Sequence, residues 1–222
     1  MATTAEVRRC TRLRGEPMRG RAAPERDSMS GTTNEGKEFM HYLSHYESPL
    51  GAMTMAGDGE HLTGLWFDGQ KYDRSTIDDD AVLQPRLPVF TQTAQWLDAY
   101  FEGADPGFTP PIRIEGSDFR KMVTSIMLSI PFGATSTYAR IAAEVAHRMG
   151  RKQMSAQAVG GAVGRNPIVL IVPCHRVLAS DGSLRGYAGG VDRKERLLEM
   201  EGVNVSGLLT PPAADDGGGW RE

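Results

Sequence analysis

The sequence predicts an α+β protein, in which a small N-terminal α/β domain, a β-sheet plus a helix, precedes a mainly helical C-terminal domain. Short β-rich runs with turn signals between them occupy residues 40–67. After residue 116, apolar residues recur at helical spacing instead. This change predicts four segments. They are a disordered extension over 1–39, domains over 40–115 and 116–206, and a disordered tail over 207–222.

The two ends of the chain have the composition of disordered segments. Residues 1–39 are rich in Arg, Gly, Glu, Pro and Ser, and residues 207–222 in Pro, Gly and Asp. The biological start is left open between Met1, Met29 and Met40. The 222 residues with 40% hydrophobic content are enough for one large domain or two small ones with a real core.

Two cysteines, one of them Cys10 in the extension, cannot form an intrachain disulfide framework. This favours a reducing compartment, and we expect a cytoplasmic protein. No apolar run reaches the roughly 18 residues of a membrane helix, and the N-terminus lacks the apolar core of a secretory signal. The sequence therefore predicts no membrane association.

Three strands are predicted in the first domain. Residues 41–46 are β-rich, and Ser48–Gly51 forms a turn. Residues 52–56 and 62–67 flank Asp58-Gly59, a hairpin signal. Together they predict strands, the last two of them joined as a hairpin.

The acidic, Pro-bearing residues 68–88 predict a loop, with Asp78–Asp80 as a solvated run. His41, His45 and His61 lack the spacing of metal ligands, so no metal site is predicted.

Helices begin with Phe90–Phe101, and residues 112–114 predict a short strand. Ser117 and Asp118 suit the start of the next helix as cap and first-turn acid. The core face of that helix follows the i, i+3, i+4, i+7 rule. It comprises Phe119, Met122, Val123, Ile126, Met127 and Ile130.

Two further helices predict a helix-turn-helix. The first begins at Thr135 or Ser136, and the second runs from about 156 to 163 after a Ser155 cap. An ordinary αα-hairpin has the same signals, and this alternative stays open. Asp192 is expected to cap the last helix.

The region around this helix pair is basic in an otherwise acidic chain. The net charge is −3, yet residues 135–196 hold ten Lys or Arg against four Asp or Glu. Such a block indicates phosphate binding, although a solvated face is equally compatible with it. The cations next to the helix pair are Arg148, Arg151, Lys152 and Arg165.

Two adjacent glycines, Gly160 and Gly161, lie inside the second helix. Each glycine costs a helix about 1 kcal/mol relative to alanine. Close approach of the backbone to a partner would explain both, and so would tight packing against the protein.

A thiol and an imidazole follow the apolar run 168–172. The run predicts a buried extended segment that ends at Pro173, so Cys174 and His175 would meet at the end of a dry strand. An adjacent base raises the thiolate fraction of a cysteine, which makes Cys174 a candidate nucleophile. The alternative is a small apolar cysteine in a core.

These motifs together resemble a known family. Residues 173–177 (Pro-Cys-His-Arg-Val) are similar to the acceptor motif of O6-alkylguanine-DNA alkyltransferases, also called methylated-DNA–protein-cysteine methyltransferases. Residues 158–162, Asn166-Pro167 and 186–190 fit the same family at matching spacing. The resemblance covers roughly residues 40–205.

The resemblance implies a winged-helix-like DNA-binding arrangement in the C-terminal domain and direct reversal of DNA alkylation. Cys174 would take the alkyl group from O6-alkylguanine, and also from O4-alkylthymine, and the protein would be consumed. His175 would draw the thiol proton through a water, with Glu201 orienting the imidazole, and Tyr138 would donate to the guanine ring. No cofactor and no metal are implied.

The remaining site residues also follow from the resemblance. The DNA-contact set would be Gln157, Ala158, Gly160, Gly161, Arg165, Arg151 and Lys152. The pocket for the extruded base would be Asn166, Val177, Tyr187, Ala188 and Gly189. The family usually has arginine at the position of Gln157, so we expect weaker capture of DNA here.

The implied partner is double-stranded DNA containing O6-alkylguanine, bound by a monomer whose cooperativity along DNA is left open. One alternative is a DNA-binding or alkylation-sensing regulator without chemistry. Relatives of that kind have tryptophan in place of the acceptor cysteine, and Cys174 argues against it. A thiol hydrolase is a second alternative, although adjacent side chains seldom form its nucleophile and base.

Overall fold

A computed structural model describes residues 40–78 and 80–208. The predicted extension with Cys10, Asp79 and nearly all of the predicted tail lie outside the described residues. In the described part of the chain, no helix has the length and apolar content needed to cross a membrane.

The first half of the described chain forms one four-stranded sheet. Its strand order is β3-β2-β1-β4, antiparallel between β1, β2 and β3 and parallel between β1 and β4. The strands are β1 (Tyr42–Ser48), β2 (Gly51–Gly57), β3 (Leu62–Phe67) and β4 (Val82–Leu83). The three predicted strands and both predicted turns are confirmed. Asp58 closes the second turn by accepting from the backbone N–H groups of Glu60 and His61.

Two details of this half were predicted wrongly. The predicted loop 68–88 contains β4, a two-residue strand too short for its own pattern, which begins where the Val82 N–H donates to the His41 carbonyl at 2.8 Å. The predicted strand 112–114 makes only an isolated bridge from Ile112 to Leu62.

Five α-helices and a second, two-stranded sheet complete the fold of the described residues. The helices are α1 (Pro88–Phe101), α2 (Asp118–Leu128), α3 (Tyr138–Arg148), α4 (Ala156–Gly164) and α5 (Val191–Met200). The small parallel sheet pairs β5 (Ser136–Thr137) with β6 (Val177–Leu178). This is the predicted α+β class, with helices concentrated in the second half.

Helix caps explain why some boundaries were predicted and others were not. The side chains of Ser117 and Ser155 accept backbone N–H groups, which confirms both predicted caps. Helix α3 is capped by Thr137 rather than Thr135 or Ser136, because β5 keeps Ser136 extended. The prediction for Asp192 was wrong, since it lies in the first turn of α5 after Gly190.

Residues 168–172 also differ from the prediction, since they do not form the extended segment that was expected. Ile168 makes one bridge to Leu65 of β3, and the chain then turns, with Leu170 at φ 67°. All five residues are buried, so the prediction of burial is confirmed and that of a strand is wrong. An apolar run in the sequence indicates burial. The turn depends on hydrogen bonds with the Asn166 side chain, which the pattern of apolar residues does not reveal.

One apolar core connects the sheet with the helical half. It includes Leu65 and Phe67 of the sheet, Tyr100 of α1, Val159 of α4 and Leu197 of α5. The turn that carries Cys174 lies within this core, so both halves of the chain position it.

Candidate active site

Cys174 opens a single 3₁₀ turn, Cys174–Arg176, and its residue surface is 4% exposed. Its Sγ accepts a hydrogen bond from Asn166 Nδ2 at 3.0 Å. The same amide nitrogen donates to the carbonyls of Ile168 and Val172 at 3.1 and 2.8 Å, and the Ile168 N–H donates to Asn166 Oδ1 at 3.1 Å. Asn166 therefore ties the buried turn to the cysteine sulfur.

The thiol is protonated at neutral pH. Burial raises the pKa of Cys174 to about 11, and the hydrogen bond from Asn166 and the charge of Lys194 offset only part of that rise. A nucleophilic sulfur must therefore lose its proton to a neighbouring base when it reacts.

His175 is the adjacent base and is completely buried. Its Nε2 lies 2.7 Å from Glu201 Oε1, and burial lowers its pKa despite the carboxylate. The contact is thus a hydrogen bond from a neutral imidazole to a carboxylate rather than an ion pair. With the proton on Nε2, Nδ1 is an acceptor, and no described residue supplies it with a partner.

Glu201 lies at the C-terminal end of α5 and accepts hydrogen bonds from three parts of the chain, which are α1, the loop before β5 and the 3₁₀ turn. Arg176 donates to both oxygens, with Nε 2.8 Å from Oε2 and Nη2 3.0 Å from Oε1, and the Gly133 N–H donates to Oε2 at 3.2 Å. Burial alone would raise the pKa of Glu201, but the hydrogen bonds from His175 and Arg176 outweigh it and lower the pKa to about 2. Glu201 therefore remains ionised and holds the imidazole in one orientation.

Tyr138 and Tyr187 are two further side chains close to the Cys174 sulfur. Burial raises the pKa of Tyr138 to about 12, with Cys174 as the second cause, so its hydroxyl stays a donor. That hydroxyl donates to the Arg185 carbonyl at 3.3 Å, and a Cβ on Gly186 would lie 2.6 Å from it. Tyr138 also packs against the core, so it serves both as a core aromatic and as a donor near Cys174.

Two of the predicted pocket residues contact the reactive pair, Asn166 at Cys174 and Tyr187 at His175. Tyr187 is buried, and its ring forms a T-shaped contact with the His175 ring at a centroid distance of 6.4 Å. A Cβ on Gly189 would lie 2.6 Å from the Tyr187 ring, and the Ala188 carbonyl accepts from a backbone N–H. The loop is therefore built around Tyr187 and is not a loose connector. The Val177 carbonyl accepts from Lys194 Nζ at 2.6 Å.

The predicted DNA-contact residues lie on α4 and in the segments that flank it. Gln157, Ala158 and Gly161 are exposed, and Gly160 is half-buried. A Cβ on Gly161 would meet no atom within 4 Å, and one on Gly160 would meet only Tyr138 at 3.9 Å. Packing against the protein therefore does not explain Gly161.

The three predicted cations beside α4 are exposed as well. They are Arg151, Lys152 and Arg165, and the Arg165 guanidinium lies 5.7 Å from the ring centroid of Tyr72. Among the described residues, no group of three His, Cys, Asp or Glu side chains is arranged to bind a metal.

Two family profiles match the chain. Residues 41–114 match the ribonuclease-like domain of 6-O-methylguanine DNA methyltransferase, and residues 118–203 match its DNA binding domain. The chain belongs to the 6-O-methylguanine DNA methyltransferase family.

Individual members of the 6-O-methylguanine DNA methyltransferase family agree with this assignment. The methylated-DNA–protein-cysteine methyltransferase of Mycobacterium bovis is 39% identical over 172 residues, 78% of this chain and 98% of the relative. That of Methanosarcina barkeri is 41% identical over 165 residues, 74% and 99% of the two chains. A crystal structure of Mycobacterium tuberculosis OGT in complex with DNA superposes with a TM-score of 0.63 at 38% identity, over 72% of this chain and 92% of that one.

Three buried polar side chains of this 6-O-methylguanine DNA methyltransferase site were not predicted. They are Tyr100, Arg176 and Lys194. Lys194 stands three and four residues before Leu197 and Leu198, which are buried too, so helical spacing could have indicated its burial. Burial lowers the pKa of Lys194 to about 8, with Cys174 opposing the shift. No pattern in the sequence indicates that Tyr100 meets Glu201.

Proposed function

We propose that the protein repairs DNA by irreversible transfer of an alkyl group from O6-alkylguanine, and also from O4-alkylthymine, to Cys174. The observation that carries the proposal is the set of buried contacts around the Cys174 sulfur. The thiol accepts from Asn166, and the neighbouring His175 is neutral, with its orientation fixed by Glu201. A thiolate on Cys174 would raise the pKa of Tyr138, because the two side chains lie close together.

The proposed step is an in-line displacement at the alkyl carbon. The sulfur–carbon bond forms while the carbon–O6 bond breaks, and the electron pair of that bond moves into the guanine ring. The thiol proton passes to His175 through a water, and the ring regains one proton, so the products are guanine and a thioether. The Tyr138 hydroxyl donates to the ring as its negative charge develops, which is general-acid assistance. The step needs no cofactor, because the ether of an aromatic base is already activated.

The DNA would be held by the helix pair α3–α4 in the minor groove. A base must leave the stack to reach a buried sulfur, as in other enzymes that act on bases. The exposed small residues Ala158 and Gly161 allow close approach to the duplex, and Gln157 at the first turn of α4 can hydrogen-bond the orphaned base. Arg151, Lys152 and Arg165 supply positive charge for phosphates.

A DNA-binding or alkylation-sensing regulator is not favoured. Such a protein needs the helix pair but has no use for a thiol whose proton can pass to a neutral, oriented imidazole. The family members that match most of the chain are named as methyltransferases.

Intact mass measures the transfer directly. The protein is incubated with duplex DNA containing O6-methylguanine, and we expect one methyl group on the Cys174 peptide. Cys174→Ala should remain unmodified, whereas Cys10→Ala, which keeps Cys174, should be methylated like the wild type. Folded wild-type protein that gains no methyl group, or gains it elsewhere, would overturn the proposal.

The remaining features of the proposal concern the setting of the reaction. A free thiol acceptor needs a reducing compartment, which supports a cytoplasmic location for the protein. We expect it to act as a monomer on duplex DNA, and sedimentation on DNA of increasing length would show whether binding is cooperative.

A further inference from the structure

Tyr100 brings a hydroxyl from the N-terminal half into the active site. It lies near the end of α1, and 1% of its surface is exposed. Its ring is stacked on Trp96 at a centroid distance of 5.2 Å and forms T-shaped contacts with Phe101 and Phe132 at 5.5 and 6.0 Å. These contacts hold the ring on three sides, so its hydroxyl has a fixed position.

That hydroxyl meets the histidine–carboxylate contact itself. It donates to Glu201 Oε1 at 2.8 Å and lies 3.3 Å from His175 Nε2. The His175 Nε2–H donates to the same oxygen at 2.7 Å. Arg176 Nη2 donates to it as well, at 3.0 Å, so three hydrogens converge on Oε1. Burial, followed by the charge of Glu201, raises the pKa of Tyr100, which keeps the phenol protonated and makes it the donor.

Sharing one oxygen has a chemical consequence for the base. A hydrogen bond to Oε1 takes up part of the carboxylate charge that would otherwise stabilise the imidazolium form of His175. It also fixes Oε1 at the distance where it orients the imidazole. Tyr100 thus acts on His175 through Glu201, although it lies 101 residues before Glu201 in the chain.

We infer that Tyr100 is a positioning residue for alkyl transfer, holding the Glu201 oxygen that orients His175 and keeping the imidazole neutral so that it can accept the thiol proton. This rests on the proposed function and deepens it. The residue is outside the matched DNA binding domain and inside the matched ribonuclease-like domain. The N-terminal half therefore contributes a functional group, not only a support, to the site.

Other ionisable groups act on the same pair and must be held constant in a test. The groups that face His175 and Glu201 from the surrounding elements are Arg176 in the 3₁₀ turn, Lys194 on α5, Cys174, and Tyr187 before α5. A change of the Tyr100 hydroxyl alone leaves all of these in place.

The test is Tyr100→Phe, followed by nitrogen NMR of the His175 ring as pH is varied, without DNA. Loss of the donor leaves more charge on Oε1, so the pKa of His175 should rise above the wild-type value. The same rise should move the acid side of the methyl-transfer rate profile to higher pH. A rise of half a unit lowers the rate there about threefold and leaves the plateau unchanged.

Tyr46→Phe is the matched control. It removes a tyrosine hydroxyl that donates to Asp98 of α1 at 2.8 Å, away from the site, and should leave the His175 titration unchanged. A merely structural role for Tyr100 would lower the melting temperature or reduce the rate equally at every pH. A His175 titration identical to that of the wild type would overturn the inference, whether or not methyl transfer occurs.

Difluorotyrosine at position 100 keeps the ring and tests the inference if Tyr100→Phe does not fold. The fluorinated phenol is a stronger donor, so the pKa of His175 should fall, a shift opposite to that for phenylalanine. In a Glu201→Gln background neither change should move the titration, because the path runs through the carboxylate. A shift in the pKa of His175 that persists in that background would contradict the inference. A wild-type protein that transfers no methyl group, by contrast, would count against the proposed function alone.

Discussion

At the scale of single residues, the site rests as a neutral pair. Burial raises the pKa of Cys174 and lowers that of His175, so neither a thiolate nor an imidazolium is the resting form. A buried charge would be costly before a substrate arrives. A protonated thiol is a weak nucleophile, which limits other reactions of the acceptor cysteine at rest.

Glu201 links this arrangement to the pH dependence of stability. Its pKa is about 2 in the folded protein against 4.5 for a free side chain. Its contribution to the free energy of unfolding is therefore complete above about pH 4.5 and is lost as the pH falls toward 2. We expect Glu201→Gln to be less stable at pH 7, since Arg176 loses its charged partner, but to lose less further stability on acidification.

Urea unfolding at pH 7 and at pH 3.5 would check this expectation. Glu199→Gln is the control, because Glu199 is exposed on α5 and should behave like the wild type at both pH values. If Glu201→Gln lost as much stability on acidification as the wild type, the low pKa of Glu201 would not be the source of the effect.

The reactive residues could be predicted from the sequence because their chemistry is local. Cys174 and His175 are neighbours in the chain, and the motif around them marks the acceptor. Glu201 was predicted as a site residue only from the family resemblance, and Tyr100 and Arg176 were not predicted as site residues. Their contacts depend on how distant elements pack, since each side chain is polar by itself and becomes part of the site only through its burial.

At the scale of elements, α4 differs from the other helices in its lack of bulk. Among its exposed positions, Gly161 has open space where a side chain would be. Because a glycine in a helix interior costs about 0.5–1 kcal/mol relative to alanine, the protein gives up stability there. Close contact with the duplex backbone would account for that cost.

Gly161→Ala should therefore separate stability from DNA binding. We expect the free energy of unfolding to rise by about 0.5–1 kcal/mol. The affinity for duplex DNA should fall about tenfold, equivalent to about 1.4 kcal/mol, because the methyl group would hold the backbone away from the duplex. Thermal unfolding and fluorescence anisotropy measure the two quantities.

Gly164→Ala is the matched control on the same helix. A Cβ at Gly164 also meets no atom within 4 Å, but this residue ends α4 and is not among the predicted DNA contacts. Its DNA affinity should stay at the wild-type value. Equal losses for both variants, or no loss for Gly161→Ala, would contradict close contact at Gly161.

Helix boundaries were predictable where the spacing of apolar residues and a capping hydroxyl indicated the same start. This held for α2 with Ser117 and for α4 with Ser155. It failed for the turn at Leu170, because five apolar residues indicate burial without indicating the shape of the backbone. The hydrogen bonds that shape this turn are made by the Asn166 side chain, and the pattern of apolar residues does not predict them.

At the scale of the whole molecule, charge is divided along the chain. The net charge is −3, although residues 135–196 carry six more positive than negative charges. An acidic protein is repelled by DNA at long range, so binding must depend on this basic region. The sequence was sufficient to predict this division, since charge counts do not require knowledge of packing.

Salt dependence would identify the cations that contact phosphate. The slope of log affinity against log salt concentration falls by about 0.9 for each phosphate contact removed from duplex DNA. Arg151→Gln with Lys152→Gln should therefore reduce the slope by about 0.9 for each side chain that contacts a phosphate. The reduction should be the same on undamaged and O6-methylguanine-containing duplexes, because phosphate contacts carry no sequence information.

The control removes the same charge from the acidic part of the molecule. Arg86→Gln with Lys121→Gln alters two exposed cations outside residues 135–196 and makes the net charge equally more negative. If the basic region binds the phosphates, this pair lowers affinity only slightly and leaves the slope unchanged. Equal slopes for both double variants would mean that net charge alone governs binding. The helix pair would then not be the surface that faces the duplex.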